Sequence, residues 1–192
     1  MTSNVRIIVK AVPERQPYID YLKKNLPQAE FCMDEKRDAF DTWNRAMEMA
    51  GSEECVHMEE DVIITKDFYK KLCDAIKQKP FHIIQFFSMR KADLSVGSRW
   101  DKNFLMNQCT YYPYQYSKFI RDYWDVWSKI PGKLEKHPNG TDQMVCDWIK
   151  ATKLKYWIHI PNLVDHRVGK SEIDPRRAST NRQSLTFKDG VL

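Results

Sequence analysis

Between residues 5 and 87 short apolar runs alternate with amphipathic segments, and that alternation limits the fold more than any other feature. Residues 5–12 (VRIIVKAV), 29–33 (AEFCM), 54–58 (ECVHM) and 82–87 (HIIQFF) have strand composition. Residues 15–26 carry Tyr18, Tyr21, Leu22 and Leu26 near helical spacing, and residues 38–50 read as a helix stopped at Gly51. A third helix is expected over 65–76, with Thr65 as its N-cap. Strands joined through helices pair side by side when each helix crosses the sheet, so the expected fold class is α/β, with helices on both faces of a mainly parallel sheet.

The second half is less regular. Residues 103–112 are a candidate strand, 116–130 (YSKFIRDYWDVWSKI) an aromatic-rich helix, and 142–152 a helix opening after Asn139-Gly140-Thr141. Residues 156–161 (YWIHIP) are a last strand, and from residue 162 onward the composition is that of a loop. One domain over 1–192 is expected, since six Trp, nine Tyr and nine Phe supply a packed core. The same content excludes disorder. No stretch approaches the ~20 apolar residues of a membrane span. Residues 1–6 lack the basic-then-apolar pattern of a secretory leader, so a cytoplasmic protein without membrane insertion is expected. Cys32, Cys55, Cys73, Cys109 and Cys146 are odd in number and never spaced C-x-x-C, which points to reduced thiols rather than a zinc or disulfide framework. From His166 to Lys188 six Lys or Arg face two acids, a local excess of four positive charges that calls for an anionic partner.

The most informative segment is Val56-His57-Met58-Glu59-Glu60-Asp61-Val62, an apolar strand running into three carboxylates and then toward a helix. In open parallel sheets ligands bind at the carboxyl ends of strands. Extended geometry predicts Glu59 and Asp61 on one side and Glu60 on the other. Oxygen donors on one side suit a hard divalent cation that keeps positions for phosphate oxygens; an acidic turn at a helix N-terminus is the alternative.

This segment resembles the acid-x-acid region of GT-A-fold glycosyltransferases, here as Glu59-Glu60-Asp61. The resemblance implies a nucleotide-sugar donor and Mn²⁺ or Mg²⁺ held by Asp61 with Glu59 assisting, Glu60 lying beside the diphosphate. It implies a base-and-ribose site at residues 9–12, including Ala11, and at Pro13-Glu14-Arg15. Asp34 after the second strand, with Arg37 and Asn44 beyond it, would meet the nucleoside or sugar; a turn acid is the ordinary role of Asp34. The late segment Pro161-Asn162-Leu163-Val164-Asp165-His166-Arg167-Val168-Gly169-Lys170-Ser171 resembles one in which the histidine returns to the metal. Lys170, Ser171 and Arg182, with Arg167, Arg176 and Arg177, would then close over phosphate, and residues 182–187 resemble the closing segment of small phage-encoded members. Asp142 stands where inverting members carry a general base, with Asp147 second and helix capping as the ordinary role.

On this reading residues 1–90 bind the nucleotide sugar, a UDP-sugar being favoured, 91–161 face the acceptor and 162–192 form a basic lid. The acceptor would be a hydroxymethylated pyrimidine in phage DNA, placing the enzyme in the host cytoplasm, or a surface or lipid-linked glycan. Two rivals stand beside it: a metal-dependent nuclease using Asp34-Glu35-Lys36 with the acidic triplet, and a non-catalytic nucleic-acid-binding protein. A P-loop kinase is excluded, because no G-x-x-x-x-G-K-[ST] occurs.

Overall fold

The computed structural model describes residues 5–138, 140–169 and 182–191. A seven-stranded sheet is built from β1 (Arg6–Ala11), β2 (Glu30–Met33), β3 (Cys55–Glu59), β5 (Ile84–Gln85), β6 (Arg99–Asp101), β7 (Cys109–Tyr112) and β8 (Tyr156–Ile158), in the order β2-β1-β3-β7-β5-β8-β6. A separate two-stranded sheet pairs β4 (Val62–Ile64) with β9 (Val164–His166). β1, β2, β3, β5 and β8 run one way, and β7 and β6 the other.

Alternation along the strands builds two cores. Ile7 and Val9 of β1 and Val56 and Met58 of β3 face α1 (Gln16–Asn25) and α3 (Phe68–Gln78) through Leu22, Leu26, Leu72 and Ile76. Ile8 and Cys55 face the other way, toward α2 (Ala39–Ala50), α5 (Tyr116–Trp127) and α7 (Thr141–Ala151), where Trp43, Met47, Ile120, Trp127 and Met144 close the layer. Each fully buried large aliphatic side chain contributes roughly 1.5–3 kcal/mol. Short helices α4 (Asp93–Val96) and α6 (Lys133–Lys136) lie in the connections. α2 starts at Asp38, whose carboxylate accepts from the Phe40 and Asp41 amides, and stops where Gly51 turns to φ 58°.

The β1–α1–β2 unit places β2 on one side of β1, whereas α2 crosses the opposite face and delivers β3 to the other side. The strand order therefore switches between the parallel strands β1 and β3, and in open α/β sheets ligands bind at the carboxyl ends of such a pair.

Several expectations need correction. The acidic triplet leads into β4, not directly into a helix, and α3 begins only at Phe68. Thr65 is no N-cap: its amide donates to the Leu163 carbonyl and its hydroxyl to that of Lys188. The strand expected over 103–112 shrinks to β7, which runs antiparallel, and β6 went unforeseen. The tail after residue 162 is more than loop. It supplies β9, and its last described stretch is pinned by Val191 donating to Ile64, Lys66 donating to Asp189 and Tyr21 donating to Val191. Four cysteines are buried and Cys73 half-buried, all of them free thiols. Among the described residues no helix is long and apolar enough to cross a membrane.

Candidate functional site

The acidic triplet sits at the β1–β3 switch point. β3 ends at Glu59, and the chain turns sharply through Glu60 and Asp61 before entering β4. The turn is tied to both neighbours, because the Glu60 amide donates to the Lys10 carbonyl and the Glu59 amide to that of Gln108. This turn overturns the expected alternation. Glu59 pairs with the Lys10 ammonium at 3.3 Å, whereas Glu60 and Asp61 share one guanidinium nitrogen of Arg15, at 2.9 and 2.7 Å.

Glu60 and Asp61 are buried. Burial, with the charges of Asp61 and Glu59 working against Arg15, pushes the Glu60 carboxyl up to about 8. Burial likewise raises Glu59, against the pull of Lys10. Three carboxyls thus crowd against two cations, Lys10 and Arg15.

His166 arrives from the far end of the chain. β9 pairs antiparallel with β4 so that His166 lies opposite Val62, and its Nε2 stands 3.3 Å from Asp61 Oδ2. The Arg167 amide also donates to the Asp61 carbonyl at 2.8 Å. The ring is held by its other nitrogen, 2.7 Å from the Arg167 carbonyl oxygen. A carbonyl can only accept, so Nδ1 carries the proton. Nε2 then either holds a second proton or turns its lone pair toward a carboxylate oxygen, an arrangement that a cation would relieve. Asp61 Oδ1 is buried with no hydrogen-bond partner. One carboxylate and one backbone-braced imidazole fit Mn²⁺ or Mg²⁺, which takes few protein ligands and completes its shell with phosphate and water oxygens. No group of three or more His, Cys, Asp or Glu side chains gathers in metal-holding geometry among the described residues, and Glu59 is turned toward Lys10.

The surroundings of the acidic turn are aromatic and cationic. The Arg167 guanidinium packs on the rings of Tyr18 and Tyr21, 4.8 and 4.4 Å from their centres, and Arg15 lies 5.9 Å from the Tyr18 ring. Lys10, a charge set between Val9 and Ala11 in the apolar part of β1, and the Tyr18–Tyr21 pair one helical turn apart were the legible signals; neither by itself indicates a site.

The remaining candidates divide. Ala11 is buried at the end of β1, and its carbonyl accepts from the Asp34 amide at 2.7 Å. Asp34 takes its ordinary role: Oδ1 accepts from the Lys36 and Asp38 amides, both at 3.2 Å. Arg37, at φ 56°, pairs with Glu14 across the mouth between the two loops. Lys36 turns to Asp41 at 2.7 Å, which takes it away from the acidic turn. Asn44 does not join the site; it lines a cleft between α2 and α5 with Arg121 and Trp124.

Asp142 lies in the first turn of α7, where it is no cap: Gly140 occupies that position. Its Oδ2 faces the Met106 amide at 3.5 Å, on the loop that runs on to Gln108 and so to Glu59. Asp147 is engaged by three donors, Trp127 Nε1 at 2.9 Å, Lys133 Nζ at 2.7 Å and Gln143 Nε2 at 2.9 Å. Burial raises its carboxyl, but these donors hold it below the ordinary range. Half-buried Arg182 begins the returning stretch, two positions before Ser184, whose amide donates to Asp165 Oδ1. Lys170, Ser171, Arg176 and Arg177 lie outside the described residues.

No protein-family model matches the chain. No curated protein matches it either.

Proposed function

We propose that the protein is a metal-dependent glycosyltransferase of the GT-A type, moving a sugar from a nucleotide diphosphate sugar, with a UDP-sugar favoured, to a hydroxyl acceptor. The observation that carries this reading is the meeting of Asp61 and His166 at the switch point, with Nδ1 of His166 already donated to a backbone carbonyl and Nε2 directed at the carboxylate. A mixed sheet whose strand order switches between β1 and β3, and a second small sheet pairing the residues after the acidic turn with those around the late histidine, agrees with such a fold.

Asp61 and His166 would hold the divalent cation, which when bound supplies charge stabilisation to the departing diphosphate. Arg15 and Arg167 stand beside that position on Tyr18, where their charge favours the same anion. Ala11, Arg37 and Glu14 frame the mouth between the first two βα loops, where the nucleoside would enter. Asp142 is the general base that takes the acceptor hydroxyl proton, a role typically contributing ~10²–10⁴-fold. A hydroxymethylated pyrimidine in DNA is the acceptor to try first, ahead of a glycan. The nuclease alternative has less support, because Lys36 is turned toward Asp41 and Asp34 toward backbone amides.

The test is a thermal-shift panel of UDP, GDP, CDP and ADP with Mn²⁺, Mg²⁺ or EDTA. A ligand at a hundred times its Kd adds ~2.7 kcal/mol. Stabilisation by one diphosphate only with metal is the expected result. Stabilisation by none of them would refute the reading.

A further inference from the structure

The edge of the sheet opposite β2 carries an aromatic surface that the sugar-transfer reading does not use. Trp100 of β6 and Trp157 of β8 are direct cross-strand partners, their rings edge-on with centroids 5.1 Å apart. The Lys79 ammonium, just past α3, stands 5.6 Å and 4.9 Å from the two ring centres. His82 packs edge-on against Trp100 at 4.8 Å, and the preceding Phe81 is 78% exposed, Trp100 itself 40%.

Cations accumulate around these rings. Lys102 and Lys155 immediately follow and precede the paired residues Asp101 and Tyr156, and both are exposed. Like charges at neighbouring positions of adjacent strands oppose folding. Lys77, on the last turn of α3, is exposed as well but stands 3.8 Å from the Asp74 carboxylate. The acids nearest Lys102 and Lys155 are engaged elsewhere, Asp101 by Arg90 at 3.2 Å and Glu54 by the Tyr111 hydroxyl at 2.8 Å, whereas Asp74 pairs with Lys70 at 2.7 Å and Lys77 at 3.8 Å.

The exposed Phe81 ring and the opposed Lys102 and Lys155 do not help the fold, and Trp100 keeps an exposed part beyond its packing on Trp157. Rings and lysines are both explained by a ligand that alternates flat apolar faces with negative charges. A neutral glycan would use the rings and leave the lysines without a partner. A duplex would offer phosphates but keep its base faces stacked. A single strand offers both.

We propose that the β6–β8 edge, with Phe81 and Lys79, binds single-stranded nucleic acid, bases stacking on Phe81 and Trp100 and phosphates meeting Lys102 and Lys155. The proposal does not depend on the sugar-transfer reading, because it shares no residue with the acidic turn.

Fluorescence anisotropy of the full chain with labelled oligothymidylate and oligouridylate at low salt tests it. Phe81 is held by little, so Phe81→Ala folds normally; it should weaken binding at least about fivefold, the effect of one lost stacked base. Lys102→Gln with Lys155→Gln should lower the slope of log affinity against log salt by about 1.4, at ~0.7 per phosphate contact. Asp61→Ala should bind as the wild type does, so failure at the acidic turn and failure at this edge are separately visible. Binding of either strand through Phe81 supports the proposal, and a preference names the sugar-phosphate backbone concerned. Absence of wild-type binding, or binding indifferent to both sets of substitutions, would overturn it. So would capture of a neutral oligosaccharide through Phe81 with no oligonucleotide bound.

Discussion

His166 Nε2 lies 3.3 Å from Asp61 Oδ2, although β9 and the acidic turn are separated by more than half the chain. The contact is made by backbone pairing rather than by reach of side chains. β4 and β9 are in register from Val62–His166 to Ile64–Val164, and the Arg167 amide closes onto the Asp61 carbonyl. A pair held this way is preorganised, so a bound ion would meet ligands already in place.

Replacing Asp61 with Ala is expected to abolish metal-dependent stabilisation by the nucleoside diphosphate that the wild type selects. His166→Ala should weaken the same signal by 10-fold or more in metal affinity. Titration of Mn²⁺ at fixed nucleotide, followed by thermal shift, reads both. Retained metal dependence in Asp61→Ala would remove the ion from this turn.

Arg15 pairs with both Glu60 and Asp61 through one nitrogen and is itself largely buried. Truncation to Met leaves two buried carboxylates facing each other, and breaking such a buried pairing costs roughly 3–5 kcal/mol. Mn²⁺ should restore more stability to Arg15→Met than it adds to the wild type, because the ion meets an uncompensated site. Denaturant midpoints with Mn²⁺ and with EDTA measure this, and equal metal effects in the two proteins would contradict it.

Two aspartates of α7 separate chemistry from architecture. Asp142→Asn should leave donor binding unchanged and cut transfer at least a hundredfold, given the usual ~10²–10⁴ from a general base. Asp147→Ala strips Trp127 Nε1 and Lys133 of their acceptor and should cost roughly 1–3 kcal/mol of stability. Its turnover per folded molecule should be close to normal. A radiolabelled-sugar transfer assay beside urea unfolding distinguishes the two, and full activity of Asp142→Asn would exclude it as the base.

His57 is fully buried on β3, edge-on to Tyr112, and neither ring nitrogen has a partner. Burial, with the positive charges of Lys10 and Arg6, pushes it down to about 3. The unfolded chain takes up this proton near pH 6.5 and the folded one does not, so the unfolded state binds more protons between those values. Stability is complete above pH 6.5 and is lost as pH falls toward about 3, by as much as ~1.4 kcal/mol per pH unit. His57→Leu should flatten that slope, by roughly 2 kcal/mol between pH 6.5 and 5. Identical pH dependence of the urea midpoint in both proteins would show that His57 is protonated when folded.

The α/β architecture was legible because each element buries a face, and burial leaves a periodic trace. Ile7, Ile8 and Val9 in succession mark a strand covered on both sides, and Trp43, Ala46, Met47 and Ala50 mark one side of a helix. The acidic turn was legible too, since three carboxylates after an apolar strand are conspicuous in any register. The course of the chain after it was not. Val62–Ile64 has three apolar residues whether it extends a strand or opens a helix, and only β9 arriving from the far end decides. Likewise no local pattern shows that Arg15 gathers Glu60 and Asp61 and leaves Glu59 to Lys10.

What the sequence by itself determined was the class of fold, the place of the acids at a strand end, and the residue types available for an ion and a phosphate. Those follow from short-range periodicity and side-chain chemistry. What only the tertiary structure decided was which of those residues meet. Asp61 with His166, Asp147 with Trp127 and Lys133, and Asn44 turned away toward α5 all depend on strand order and on a two-stranded sheet closed between distant segments. Pairing of that kind is set by backbone hydrogen bonds, which every residue type but proline can make, and it therefore leaves little mark in the order of the side chains.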